Sequence, residues 1–195
     1  NYYDVNLKKK RINELKKNKN FIFKNSYLKN DKTYNYLKNK KIKFVFHLAA
    51  QPGVRFSVSD PKRYIDENII AFTKLLEFTR FQKVLCTFFA SSSSVYGDCK
   101  KFPTKEEDRL NPKNVYGLTK KFNEELAYFY SKNFNLKMIG LRFFTVYGPW
   151  GRPDMAMYIF AKAMKERKKI NINNYGKMYR DFTFIDDIVK GIVSL

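Results

Sequence analysis

The chain has 195 residues, 44% of them apolar and 17% aromatic, enough to bury one sizeable core. Its 39 Lys and Arg against 18 Asp and Glu leave a net charge of +21, and 8 Gly with 6 Pro are too few for a collagen-like or linker-like chain. Two cysteines, Cys86 and Cys99, cannot build a disulfide framework and suit a reducing, cytoplasmic setting; a single histidine, His47, excludes a His-rich metal site. The positive charge is concentrated at the start, where residues 1–43 hold 14 Lys and Arg against three acids. That segment is equally loaded with Asn, Tyr, Phe and Ile, so a bias toward A- and T-rich codons accounts for the lysines and no specific nucleic acid is expected. The interleaved basic and aromatic residues keep a nucleic-acid-binding module as an alternative.

In chain order, Phe21-Ile22-Phe23 is a weak strand candidate. Phe44–Ala50, Val84–Ala90 and Met138–Phe144 are continuous apolar runs, the pattern of strands in a parallel sheet covered on both faces. Asp60-Pro61 opens a helix, with Asp60 as N-cap and an apolar face through Ile65, Ile69, Phe72, Leu75 and Leu76. A second helix over about 115–133 is expected to bury Leu118, Phe122, Leu126 and Phe129. Strand and helix alternate, so the expected class is α/β with right-handed crossovers. Beyond Pro149 the pattern changes to one helix near Ala156–Lys165 and short segments, as though a second lobe begins. No apolar run approaches the ~20 residues of a membrane span.

Six Tyr-x-x-x-Lys matches begin at Tyr34, Tyr36, Tyr96, Tyr116, Tyr128 and Tyr158. On a helix such a lysine lies beside the phenol and favours the phenolate, making a usable base. A Lys-rich chain produces such matches by chance, so context must choose among them. Tyr116 and Lys120 open a long amphipathic helix after a buried strand that ends in Ser91-Ser92-Ser93-Ser94. Ligands of open parallel sheets bind beyond the carboxyl ends of the strands, where these hydroxyls and the Tyr/Lys pair could converge. Taken alone, the serines also read as an ordinary polar loop and Tyr116 as a surface aromatic.

From about Phe44 to Leu195 the chain resembles the extended short-chain dehydrogenase/reductase superfamily, specifically its nucleotide-sugar 4-epimerases and most of all the UDP-glucuronate branch. The resemblance rests on 47–55 (HLAAQPGVR), 91–97 (SSSSVYG), 116–120 (YGLTK), 141–156 (LRFFTVYGPWGRPDMA) and 174–183 (NYGKMYRDFT), in that order. It implies a Rossmann-like doubly wound parallel sheet, incomplete here, over residues 1–150, and the start of a smaller substrate-binding lobe over 151–195. It further implies NAD as hydride carrier, with Ser92, Tyr116 and Lys120 catalytic and Ala49, Ala50, Gln51, Asn68 and Phe144 also near the cofactor. A UDP-sugar is the implied substrate. Ser93, Ser94 and Thr145 replace groups used by related dehydratases, decarboxylases or UDP-galactose epimerases and suit a sugar carboxylate. Arg55, Arg152 and Arg180 are candidate contacts to that acid or the diphosphate, and His47 is expected to be structural. Another nucleotide-sugar epimerase, such as one acting on UDP-glucose, is the runner-up.

The chain departs from the family in lacking the dinucleotide-binding glycine loop, and Tyr27 and Asn30 stand where the family carries acids. Its start resembles the segment after the family's second strand. The expectation is therefore a piece of a longer cytoplasmic enzyme, a homodimer when whole, with weak NAD affinity as a piece.

Overall fold

A computed structural model describes residues 2–99 and 101–195. In chain order the elements are helices α1 (Val5–Lys16) and α2 (Asp31–Leu37), strand β1 (Phe44–His47), and helices α3 (Phe56–Ser59), α4 (Pro61–Tyr64) and α5 (Ala71–Phe81). Strand β2 (Cys86–Ser92), helix α6 (Val115–Phe134) and strands β3 (Met138–Phe143) and β4 (Thr145–Tyr147) follow. Helix α7 (Ala156–Lys165), strand β5 (Phe182–Phe184) and helix α8 (Ile185–Val193) complete the chain. Two compact units result: 26–143, and 1–25 together with 144–195.

The first of these units is an α/β layer. Its three strands are all parallel in the order β1-β2-β3, with Phe46 opposite Phe88 and Phe89 opposite Gly140. Parallel neighbours need crossover connections, and α3 to α5 and then α6 supply them. Phe89 points into the core formed with Phe72, Leu75 and Leu76 of α5 and Ala127 and Tyr130 of α6. Gly140 is required beneath it, because a Cβ there would lie 2.7 Å from the Phe89 ring. Asp60 caps α4 as expected, accepting the Arg63 N–H at 3.2 Å, with Pro61 in the first turn. The Asn114 side chain opens α6 by accepting the Gly117 N–H at 2.8 Å.

Several expectations are corrected. Only β2 is buried along nearly its whole length; Phe44 and Phe46 leave one face of β1 exposed, and β1 stops at His47 rather than Ala50. Strand β2 starts at Cys86 and runs on through Ser91 and Ser92, and β3 ends one residue before Phe144. Phe21-Ile22-Phe23 forms no strand, and Ile22 is 79% exposed. Between α4 and α5 the chain makes a π-helical turn, Ile65–Ile70. Its wider winding shifts the helical phase, so Tyr64 and Asn68 face inward while Ile65 is exposed. The largest correction concerns α6, which buries Gly117, Thr119, Lys120, Asn123, Ala127 and Tyr130 and leaves Leu118, Phe122 and Phe129 exposed. Two stripes about 100° apart compete on this helix, and the smaller, more polar one meets the sheet because it fits against β2.

In the other unit β4 and β5 pair in parallel, Thr145 opposite Phe182, and Tyr147 packs on Phe184 with ring centres 5.4 Å apart. Helix α1 is capped by Asp4, which accepts the Asn6 N–H at 2.9 Å. Helix α7 spans the predicted Ala156–Lys165. Among the described residues no helix is long and apolar enough to cross a membrane.

Candidate active site

The carboxyl end of β2 turns sharply. Ser92 accepts the N–H of Ser94 on its hydroxyl at 3.2 Å, and Ser93–Val95 winds into a single 3₁₀ turn. The first turn of α6 lies against this corner. A Cβ on Gly117 would stand 2.5 Å from the Ser94 carbonyl oxygen, so only glycine allows the approach. One turn along, the Lys120 ammonium donates to the Ala90 carbonyl at 2.7 Å. Ser92 thus lies between Ala90, which Lys120 bonds, and Ser94, against which Gly117 packs. The three predicted catalytic residues share one end of the sheet.

Five of the six Tyr-x-x-x-Lys matches are separated by burial; the sixth, Tyr96 with Lys100, has its lysine outside the described residues. Lys40 lies 5.5 Å from the Tyr36 ring centre, Lys132 5.8 Å from Tyr128 and Lys120 5.9 Å from Tyr116. Proximity therefore selects none of them. Lys120 is 2% exposed, whereas Lys38, Lys40, Lys132 and Lys162 are all exposed. Burial lowers the Lys120 pKa from 10.5 to about 8, so it remains largely protonated at neutral pH with little water to screen it. His47, at the end of β1, stacks on Phe72 at 5.2 Å. Burial, and secondarily the charge of Lys120, lower its pKa to about 4, which keeps the imidazole neutral and agrees with a structural role.

Asn68 organises the neighbouring strand end. Its side-chain oxygen accepts the Gln51 N–H at 2.7 Å, and its amide donates to the Gln51 carbonyl at 3.2 Å and the Thr119 hydroxyl at 3.1 Å. The Asn123 amide in turn donates to the Asn68 carbonyl at 3.0 Å. The residue after Ala49 and Ala50 is thereby fixed in space relative to α6. Tyr64 secures the next step by donating to the Pro52 and Gly53 carbonyls at 2.7 and 2.5 Å, and its ring meets Tyr116 edge-on at 6.2 Å. A second network backs β2: Ser91 donates to Glu124, which is held on both oxygens by Arg142 at 3.0 and 2.8 Å. Arg142 also donates to the Tyr96 hydroxyl at 2.9 Å and the Glu106 carbonyl at 2.8 Å.

Gly117, Thr119, Asn123, Tyr64, Glu124 and Arg142 were not singled out in the sequence. The available signal was the run of small and polar residues at 117, 119, 120 and 123, one face of a long helix. Of the remaining predicted residues in this unit, Ser93 and Ser94 are half-buried in the 3₁₀ turn and Arg55 is exposed at the start of α3. Phe144, Thr145, Arg152 and Arg180 belong to the other unit. There Thr145 begins β4, Arg152 pairs with Asp154 at 3.1 Å, and Arg180 is exposed before β5.

The chain is similar to known proteins along its whole length. Protein CapI of Staphylococcus aureus is 45% identical over 196 residues, which are 100% of this chain and 58% of that protein. UDP-glucuronate 4-epimerase 4 of Arabidopsis thaliana is 42% identical over 198 residues, 99% of this chain and 45% of that protein. The crystal structure of UDP-glucuronic acid 4-epimerase from Bacillus cereus, in complex with UDP-glucuronic acid and NAD, superposes with a TM-score of 0.91 at 39% identity, over 97% of this chain and 60% of that one. The chain thus spans between about 45% and 60% of the length of these relatives. Its parallel strands, its serine-bearing strand end and its buried lysine lie within residues 3–195, all of which match the NAD dependent epimerase/dehydratase family, and the chain belongs to that family.

Proposed function

We propose that the protein carrying this chain is a UDP-glucuronate 4-epimerase, interconverting UDP-glucuronate and UDP-galacturonate with NAD bound across the carboxyl ends of β1 and β2. The observation that carries this reading is the desolvated Lys120 ammonium beside Tyr116 at the strand end bearing Ser92. The residues present suit the nicotinamide half of the cofactor. The ammonium has three donors and spends one on Ala90, leaving two for ribose hydroxyls, and the Gln51 backbone, which follows Ala49 and Ala50, is clamped by Asn68. By its place in the family motif, Phe144 is assigned to the cofactor as well.

When bound, NAD supplies reversible acceptance of the hydride from sugar C4. Tyr116 takes the proton of the 4-hydroxyl, and Ser92 donates a hydrogen bond to the same oxygen. Lys120 favours the phenolate electrostatically and orients the ribose. The 4-keto sugar must present its opposite face before hydride returns, so the substrate is held by its ends. Ser93, Ser94 and Thr145 donate to the sugar carboxylate without repelling it, and Arg55, Arg152 and Arg180 serve the acid and diphosphate. Ser93 and Ser94 offer no second acid and base, which a dehydratase would need. Residues 1–150 are assigned to the cofactor-binding domain and 151–195 to the start of the substrate lobe. The reading extends to a cytoplasmic homodimer: the exposed stripe Leu118, Phe122 and Phe129 suits a second copy, and Cys86 and Cys99, both free, suit a reducing compartment.

The test is Tyr116→Phe in the protein carrying this chain, with UDP-glucuronate and UDP-galacturonate separated by chromatography. Turnover should fall by about 10²–10⁴-fold with the fold retained. Normal turnover by this variant removes Tyr116 as the base, and a parent enzyme that converts UDP-glucose but not UDP-glucuronate removes the substrate assignment.

A further inference from the structure

The unit formed by residues 1–25 and 144–195 contains a clamp that the catalytic constellation does not use. The Arg11 guanidinium on α1 donates through one nitrogen to the Trp150 carbonyl at 2.5 Å and the Gly151 carbonyl at 3.0 Å, and through another to the Tyr3 hydroxyl at 2.6 Å. Its Nε is buried, and the guanidinium stands 5.3 Å from the centre of the Tyr3 ring. Trp150 has φ +62, a left-handed backbone that a residue with a side chain holds only where its surroundings demand it. Two residues on, Arg152 engages Asp154 through both Nε and a terminal nitrogen, at 3.1 and 3.2 Å. Tyr2 donates to the same carboxylate at 3.0 Å, and burial, then that hydrogen bond, raise the pKa of its phenol. The amino-terminal arm therefore grips the 150–154 turn at two points on either side of Arg152.

We propose that Arg11 is a positioning residue: it holds the strained turn at Trp150 so that Arg152 is set in advance to receive the acid end of a nucleotide-sugar substrate. A planar fork suits this task, since it can reach two successive carbonyls and a hydroxyl while staying charged. Preset geometry lowers the ordering cost of binding and acts on ground state and transition state alike. The inference rests on the functional reading in assigning Arg152 to substrate; the clamp itself can be observed without catalysis.

Trp150 is this chain's one tryptophan, and with any tryptophan elsewhere in the parent protein replaced by Phe its emission reports on this turn. The experiment compares the parent, Arg11→Ala, Arg11→Lys and Arg152→Ala by time-resolved fluorescence anisotropy of Trp150 and by kinetics with UDP-glucuronate. Arg11→Ala should add fast motion at Trp150 and raise KM about tenfold with kcat within about twofold, and Arg11→Lys should recover part of both. Arg152→Ala should raise KM while leaving Trp150 slow. Unchanged anisotropy in Arg11→Ala overturns the clamp. Faster anisotropy with an unchanged KM overturns its service to the substrate, even where Arg152→Ala still raises KM. If the parent does not turn over UDP-glucuronate, the functional reading fails, and the KM part of this proposal with it, while the anisotropy still decides whether Arg11 holds the turn.

Discussion

The ammonium of Lys120 donates to the backbone carbonyl of Ala90 across 2.7 Å, joining the second turn of α6 to the carboxyl end of β2. That bond, together with the close approach of Gly117 to Ser94, holds the start of α6 against the strand that carries Ser92, and it places a positive charge where burial disfavours one. A charge buried in this way costs the folded protein stability.

Lys120→Met should therefore stabilise the protein while abolishing turnover. The folded pKa of about 8 lies below the unfolded 10.5. The charge therefore penalises the folded state fully below about pH 8, and the penalty fades as pH rises toward 10.5. At ~1.4 kcal/mol per pKa unit the penalty is on the order of 3 kcal/mol, from which the lost hydrogen bond subtracts about 1. Denaturant unfolding at pH 7 should show a gain of about 1–2 kcal/mol that shrinks at pH 10. A variant less stable than the parent at pH 7 would contradict the desolvation argument.

His47 governs part of the acid limb. Its folded pKa of about 4 lies below the usual 6.5, so the unfolded chain binds a proton that the folded protein refuses. This contribution to stability is intact above pH 6.5 and is lost progressively as pH falls toward 4, by on the order of 3 kcal/mol. His47→Phe, which keeps a ring to stack on Phe72, should flatten the fall between pH 6.5 and 4.5. Parallel stability curves for the two proteins would remove His47 from the account.

Gly117→Ala sets helix propensity against packing. Alanine is the better helix former by about 1 kcal/mol. Here, however, its Cβ would sit 2.5 Å from the Ser94 oxygen and 3.1 Å from the Pro112 Cβ, so α6 must retreat from the strand end. The melting temperature should fall rather than rise, and kcat should fall with it because Tyr116 moves on the same turn. A stabilised, fully active variant would show that the approach is not needed.

The Arg142–Glu124 pair should count for more than the surface pairs. Its side chains are only 21% and 15% exposed, and Glu124 also receives the Ser91 hydroxyl. Arg142→Met leaves that carboxylate without its cation and should cost about 3 kcal/mol. Lys62→Ala, which breaks an exposed pair with Asp66 at 3.2 Å, should cost well under 1 kcal/mol. Urea titrations of the two variants side by side give the comparison, and equal losses would mean that the backing network of β2 is not structural.

Much of this protein was legible in one dimension. The existence of the three parallel strands, the Asp60 cap, the helix over Ala156–Lys165 and the ordered motifs of the family follow from local pattern, because strand formation, capping and turn chemistry depend on near neighbours, whereas full burial was met by β2 alone. The order of Ser92, Tyr116 and Lys120 was equally readable. What periodicity could not settle was which stripe of α6 meets the sheet, since Leu118, Phe122 and Phe129 make the more apolar face and yet lie outside. Nor could it foresee the π-helical turn that aims Asn68 at Gln51, or the choice of one Tyr/Lys pair among several with the same spacing. Those outcomes belong to tertiary structure: a helix face is chosen by its fit against the partner surface, and a lysine's pKa by how much water the fold leaves around it.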